Sequence, residues 1–192
     1  MIDNLLLSRA KAAVLARDFQ LATRLYKNLL KENPTDVSLL SQLGNMYVKS
    51  GNDEKALPIF NQILSLDSDN LVAMNNLGAI YRRKKEYDSS VEILQKARSV
   101  HGDNSQVEYN LGFTYKIMGE SEKAIQCFED VIEENPSDVL AYNHIGSIYA
   151  ERKRHEEAVQ SYLRGLKIDP NHPVLHLNLA KSYEKLKKYD EA

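Results

Sequence analysis

The chain has no tryptophan, a single cysteine, five prolines and eight glycines in 192 residues. With Cys127 alone, no intrachain disulfide can form, which fits a reducing compartment. So little glycine and proline excludes long flexible linkers and a sheet protein full of tight turns. No apolar run approaches the roughly 20 residues that cross a bilayer, so membrane insertion is not expected. Leu5, Leu6 and Leu7 form an apolar triplet, but Arg9, Lys11 and Arg17 interrupt the core a secretory signal would need. These absences make a cytoplasmic protein the expectation. Neither sign of charge dominates either: 25 Lys and Arg against 27 Asp and Glu leave a net charge of −2, with no general pull toward nucleic acid or anionic lipid.

What is present is a period. Gly44, Gly78, Gly112 and Gly146 recur at steps of 34, and so do Tyr47, Tyr81, Tyr115, Tyr149 and Tyr183. Ala22, Ala56, Ala124, Ala158 and Ala192 form a third ladder in which Ser90 fills the gap. Pro34, Pro136 and Pro170 lie on a fourth, with Ser68 and Gly102 on the intervening rungs. Taking Asp3 as position 1 gives repeats 3–36, 37–70, 71–104, 105–138 and 139–172, and a partial repeat 173–192, within one array spanning the chain. Each repeat reads as two helices. In the second, Leu40, Leu43, Gly44 and Tyr47 make an i, i+3, i+4, i+7 stripe that Gly51-Asn52-Asp53 breaks; Ala56, Leu57, Phe60, Ile63 and Leu64 make the next. Gly at position 8 and Ala at position 20 are expected to face each other at the helix crossing, with the aromatic residues at 11 and 24 beside them. Pro at position 32 ends the second helix. Pro58 is expected near a helix start, where its missing N–H is tolerated, whereas the pattern gives no reason for Gly165.

Leu-Gly-x-x-Tyr, at Leu43–Tyr47, Leu77–Tyr81 and Leu111–Tyr115 with Ile145–Tyr149 close behind, followed by Ala, an aromatic and Pro at fixed offsets, resembles the tetratricopeptide repeat (TPR). The resemblance covers essentially the whole chain. It implies an all-α, right-handed α-α superhelix, a solenoid of antiparallel helix pairs whose first helices line a concave groove. Arg9 and Ala13 depart from the pattern in the first repeat, which reads as an N-terminal cap. The sixth repeat stops as its second helix begins, so the native chain is expected to continue past Ala192 or to be covered there by a partner or a second copy.

No constellation for catalysis is visible, and no enzyme activity or cofactor is expected. His172 and His176 have the spacing of a helical metal pair, but His172 precedes Pro173 at a repeat boundary, outside the helix, so no metal site is expected. Cys127, in Ile125-Gln126-Cys127-Phe128 on a second helix, reads as a packing residue.

Function is then expected in the groove. The resemblance puts positions 2, 5, 6, 9, 12 and 13 of the first helices there. Position 6 carries Ser8, Gln42, Asn76, Asn110, His144 and Asn178, a row dominated by amides that can donate to and accept from an extended peptide. Asn45 stands at position 9 of the second repeat. Tyr109 and Phe113, at positions 5 and 9 of the fourth, read either as a hot spot for an apolar side chain or as packing against a neighbouring helix. Lys49, Arg82, Arg83 and Lys116 follow the dipole rule for helix C-termini and could also form a basic rim for an acidic partner. Family members that clamp the carboxylate tail of heat-shock chaperones need cations at set positions; this chain has Ser41, Asn45, Asn76, Gln106 and Asn110 there, so no such clamp is expected. The expected function is a protein-interaction scaffold holding a partner segment in the groove. The alternatives are a repeat protein that self-associates end to end through its incomplete sixth repeat, and the targeting domain of an enzyme whose catalytic part lies beyond residue 192. RNA reading by helical-pair repeats is disfavoured by the Gly-Tyr-Ala-Pro ladder and the charge balance.

Overall fold

A computed structural model describes residues 3–102 and 104–186. All of its regular structure is helical. Eleven helices follow one another among the described residues: α1 (Asn4–Leu15), α2 (Phe19–Glu32), α3 (Val37–Lys49), α4 (Asp53–Leu66), α5 (Leu71–Arg83), α6 (Tyr87–His101), α7 (Ser105–Met118), α8 (Ser121–Glu134), α9 (Val139–Glu151), α10 (His155–Ile168) and α11 (Pro173–Leu186). The odd-numbered helices from α3 onward start on the first residue of a 34-residue repeat. The arrangement is a solenoid of helix pairs, and its contacts divide it into two compact units, residues 1–100 and 101–192.

Local chemistry sets both ends of the helices. The residue at position 34 of a repeat caps the next first helix: Asp36 accepts from the Leu39 amide at 2.9 Å, Asn70 from Ala73 at 3.0 Å and Asp138 from Ala141 at 3.0 Å, with Asn104 in the same role on α7. First helices end on a left-handed residue at position 15. Gly51 and Gly119 take it in the second and fourth repeats, whereas Arg17, Lys85 and Lys153 hold φ of 57°, 65° and 62° in the first, third and fifth. A side chain there costs about 1 kcal/mol or more. Backbone bonds from the amides of Asn52, Glu86 and Arg154 to the carbonyls of Tyr47, Tyr81 and Tyr149 tie these turns down.

The close approach within each pair is made by position 8, against position 24 rather than against the alanine at 20. A Cβ on Gly44 would sit 2.7 Å from the Phe60 ring, on Gly78 2.4 Å from Leu94, on Gly112 2.8 Å from Phe128 and on Gly146 2.4 Å from the Tyr162 ring. Position 20 packs beside this contact with no exposed surface at Ala56, Ala124 or Ala158; Ser90 keeps the small volume and donates its hydroxyl to the Gly78 carbonyl at 2.8 Å. Gly165 has a reason that lies outside the period: a Cβ there would come within 2.7 Å of Leu175 on α11. Pro58 is the sixth residue of α4, one turn deeper than expected. It leaves the carbonyl of Glu54 without its helical donor, on an exposed side where water serves.

Candidate partner-binding face

In the second unit, Tyr109 and Phe113 project from successive turns of α7, half-buried and stacked with ring centroids 6.0 Å apart. Phe128 of α8, fully buried, meets Tyr109 edge-on at 5.7 Å and Phe113 at 5.5 Å. His144 of α9 closes the group, edge-on to Phe113 at 4.8 Å and stacked on Phe128 at 5.0 Å. The Tyr109 hydroxyl donates to Oδ1 of Asp138 at 2.5 Å, the oxygen that also caps α9. Burial, then this hydrogen bond and the carboxylate's charge, push the Tyr109 phenol far above its ordinary range. Burial, and secondarily Lys116, lower the basicity of His144 against a smaller opposing effect of Asp138. At neutral pH the cluster is therefore three carbocyclic rings and an uncharged imidazole. The two aromatics pack on the next repeat and keep part of their surface in solvent.

The position-6 amides Gln42, Asn76, Asn110 and Asn178 are half-exposed, as is Asn45 at position 9, and they are engaged to different degrees. Asn76 donates to its own helix at the Val72 carbonyl (2.8 Å), and Asn178 donates to Asn143 of the preceding first helix (2.9 Å). Two of the four cations of the expected rim are paired with carboxylates. Arg83 makes a two-point pair with Asp53 at 2.6 and 2.7 Å, and Lys116 reaches Glu151 at 2.8 Å and the Ser147 hydroxyl at 3.0 Å. Lys49 lies 5.9 Å from the Phe19 ring centre, and Arg82 is half-buried, its guanidinium made less basic by burial and by Arg83. Lys49, Arg82 and Arg83 belong to the first unit and Lys116 to the second.

A pocket of about 520 Å³ opens in the first unit between α1 and α3, and no pattern in the sequence pointed to it. Its walls include Leu7, Lys11, Val14, Tyr26, Asp36 and Gln42. Leu7, Lys11 and Val14 stand at positions 5, 9 and 12 of the first repeat and Gln42 at position 6 of the second. These are the positions that the resemblance assigns to a partner. A second space, of about 460 Å³, is lined by Glu151, His155, Asn178, Lys181 and Lys185 where α9, α10 and α11 meet.

Two candidates for chemistry are absorbed by the structure. His172 lies outside α11 and takes the Leu175 amide on Nδ1 at 3.4 Å, while His176 Nε2 donates to the Pro170 carbonyl at 2.7 Å. Among the described residues no three His, Cys, Asp or Glu come together as metal ligands. Cys127 is buried in α8.

Three family models, each described as a tetratricopeptide or TPR repeat, match residues 13–79, 69–134 and 146–187. The chain belongs to the tetratricopeptide repeat family. Solved TPR proteins share its architecture. A crystal structure of MamA is 29% identical over 84% of this chain and 94% of its own, with a TM-score of 0.75. YrrB, described as a TPR protein with an unusual peptide-binding site, is 22% identical over 86% of both chains, with a TM-score of 0.69. TTC0263, a thermophilic TPR protein of Thermus thermophilus, is 20% identical over 93% of this chain and 97% of its own, with a TM-score of 0.72. Comparison with the curated proteins finds no match. Membership in this family makes the chain a protein-interaction scaffold in the general sense, and no described helix is long and apolar enough to cross a membrane.

Proposed function

We propose that the first-helix face of the first unit holds a segment of a partner protein, with the amides of Gln42, Asn45 and Asn76 contacting its backbone. The observation that carries this reading is the α1–α3 pocket, because its walls come from positions 5, 6, 9 and 12 of consecutive first helices, where packing duty is lightest. A volume of about 520 Å³ lies in the range of roughly 300–1,000 Å³ that ligand sites occupy. Asn45 at position 9 and Asn76 at position 6 stand on first helices of the same unit, both half-exposed. The peptide-binding site of YrrB, on a similar fold, makes a peptide the natural kind of ligand to test. Because Arg83 and Lys116 are paired internally, an acidic partner would have to compete with Asp53 and Glu151 for them, and net selectivity for acid along the rim should be modest.

The test is a selection of random twelve-residue peptides, displayed on phage, against the intact chain, followed by titration of the selected peptides. The double substitution Asn45→Ala with Asn76→Ala should weaken the selected peptides by about tenfold without changing the melting temperature. Unchanged affinity would remove the amide row from the interface.

A second reading rests on the terminal helices, which expose large apolar side chains: Leu5 and Leu15 are 72% and 87% exposed on α1, and Val174 and Leu177 are 46% and 54% exposed on α11. Contact between these two patches in different copies would give end-to-end association. Light scattering that shows a constant monomer mass up to millimolar concentration would dismiss it.

A further inference from the structure

The pocket of the first unit and the aromatic cluster of the second are built on the same repeat positions. Position 24 forms the floor of both, Tyr26 in one and Phe128 in the other, each almost wholly buried. Position 34 supplies a carboxylate at the edge: Asp36 caps α3 as Asp138 caps α9. Position 6 of the following repeat forms the far wall, Gln42 against His144. The difference lies at positions 5 and 9. In the second unit Tyr109 and Phe113 fill the space; in the first, Leu7 and Lys11 stand in their place and the space is open. The molecule thus contains a filled and an unfilled version of one site, and the filled version shows what fits.

We infer that the α1–α3 pocket binds a tyrosine side chain of a partner protein, with an acidic residue close to that tyrosine in the partner's sequence. The inference rests on the proposed groove reading and specifies its ligand. The tyrosine ring takes the place that the Tyr109 ring occupies in the second unit, over Tyr26 as Tyr109 lies beside Phe128. Its hydroxyl donates to the carboxylate of Asp36 as Tyr109 donates to Asp138 at 2.5 Å. That the carboxylate already accepts from the Leu39 amide is no obstacle, since Oδ1 of Asp138 accepts from Ala141 and Tyr109 together. A donor for Asp36 distinguishes tyrosine from phenylalanine, which would fill the volume and leave the carboxylate desolvated without return. The acid is called for by Lys11, an exposed lysine on the pocket wall at the position where Phe113 stands in the second unit. A carboxylate beside the bound tyrosine complements that ammonium, so the pocket presents an acceptor at one place and a cation at another.

Two variants isolate the site. Leu7→Tyr with Lys11→Phe writes the second unit's residues into the first and should close the pocket. Asp36→Asn removes the carboxylate but keeps the cap, since Asn70 and Asn104 cap α5 and α7 from the same position. In the phage selection against the intact chain, the expected outcome is enrichment of sequences with a tyrosine within two residues of Asp or Glu. A synthetic peptide of that kind should shift the amide resonances of Leu7, Asp36 and Gln42, and its phenylalanine counterpart should bind about five- to tenfold more weakly. Asp36→Asn should narrow that preference, since the amide oxygen that remains is an uncharged and weaker acceptor, and the pocket-filling pair should abolish binding of both peptides while the melting temperature holds or rises. Equal affinity for the tyrosine and phenylalanine peptides, peptides that bind the pocket-filled protein undiminished, or a selection that yields no tyrosine motif would each overturn the inference. Those results leave the groove reading intact if Asn45→Ala with Asn76→Ala still weakens the selected peptides. Binding that depends on Leu7 and Lys11 but not on the two asparagines would remove the amide row from the interface and keep the pocket.

Discussion

Residues 3–49 and 105–151 have the same helices in the same order, yet one stretch leaves a space at its first-helix face and the other fills it. Floor, edge and cap are shared; the side chains at two positions separate an open space from a packed one. In a solenoid the contacts within a repeat are obligatory, because each helix pair must bury its apolar stripe, whereas the first-helix face is optional. The second unit uses that option for stability and the first does not. Aromatic residues on such a face are therefore ambiguous until their neighbours are known, and a patch without aromatics can be the more open site.

That comparison can be broken by experiment. Of substitutions on the first-helix face, the largest effect is expected from Tyr109→Ala with Phe113→Ala, which strips two rings from Phe128 and His144: the chain should lose about 2–4 kcal/mol in denaturant unfolding. A loss below about 0.5 kcal/mol would mean that the two side chains are ligands waiting for a partner and not packing. Leu7→Ala, facing an open pocket, should cost clearly less than Phe128→Ala, for which about 3–5 kcal/mol is expected. Comparable losses would show that the pocket collapses in solution.

The two capping carboxylates sharpen it further. Asp36→Ala removes a helix cap alone and should cost about 1 kcal/mol, whereas Asp138→Ala also orphans the Tyr109 hydroxyl and should cost about 1 kcal/mol more. Equal costs would remove the Tyr109 bond from the account.

The smallest effect concerns pH. Burial and Lys116 depress the basicity of His144, so the unfolded chain binds the proton more readily than the folded one. Its contribution to stability is complete above the ordinary histidine value of 6.5 and is lost as pH falls toward the lower folded value. His144→Gln should flatten the stability profile in that window. The first unit has Gln42 at the matching position, so the pocket should show no corresponding dependence.

Much of this architecture was legible in the residues, because a 34-residue period makes every obligatory contact visible several times. Gly44, Gly78, Gly112 and Gly146 announce a close approach by repetition alone, and the ends of the second helices follow from Pro34, Pro136 and Pro170. What repetition could not show is which atom each glycine meets: the side chain at position 24 and not the small residue at 20, since both lie on the same face of the second helix and only the crossing geometry separates them. Arg17, Lys85 and Lys153 share the left-handed conformation of Gly51 and Gly119, which their identities conceal, because the turn imposes it against propensity. Gly165 had no pattern to explain it; it meets Leu175 on the following helix, at a repeat position where the other second helices carry no glycine. Of the basic rim, Arg83 and Lys116 are paired with Asp53 and Glu151, about thirty residues away in the chain, a separation that no local spacing rule reads.

By itself the sequence determined the repeat, the helix boundaries and the family, because these depend on short-range periodicity and on residues that only one backbone geometry accepts. Only the tertiary structure decided where the first-helix face is filled and where it is open. Leu7 with Lys11, or Tyr109 with Phe113, is equally compatible with a helix. Whether a space remains depends on the volume left between two helices and the floor beneath them, a sum over residues from three elements that no single stretch of chain contains.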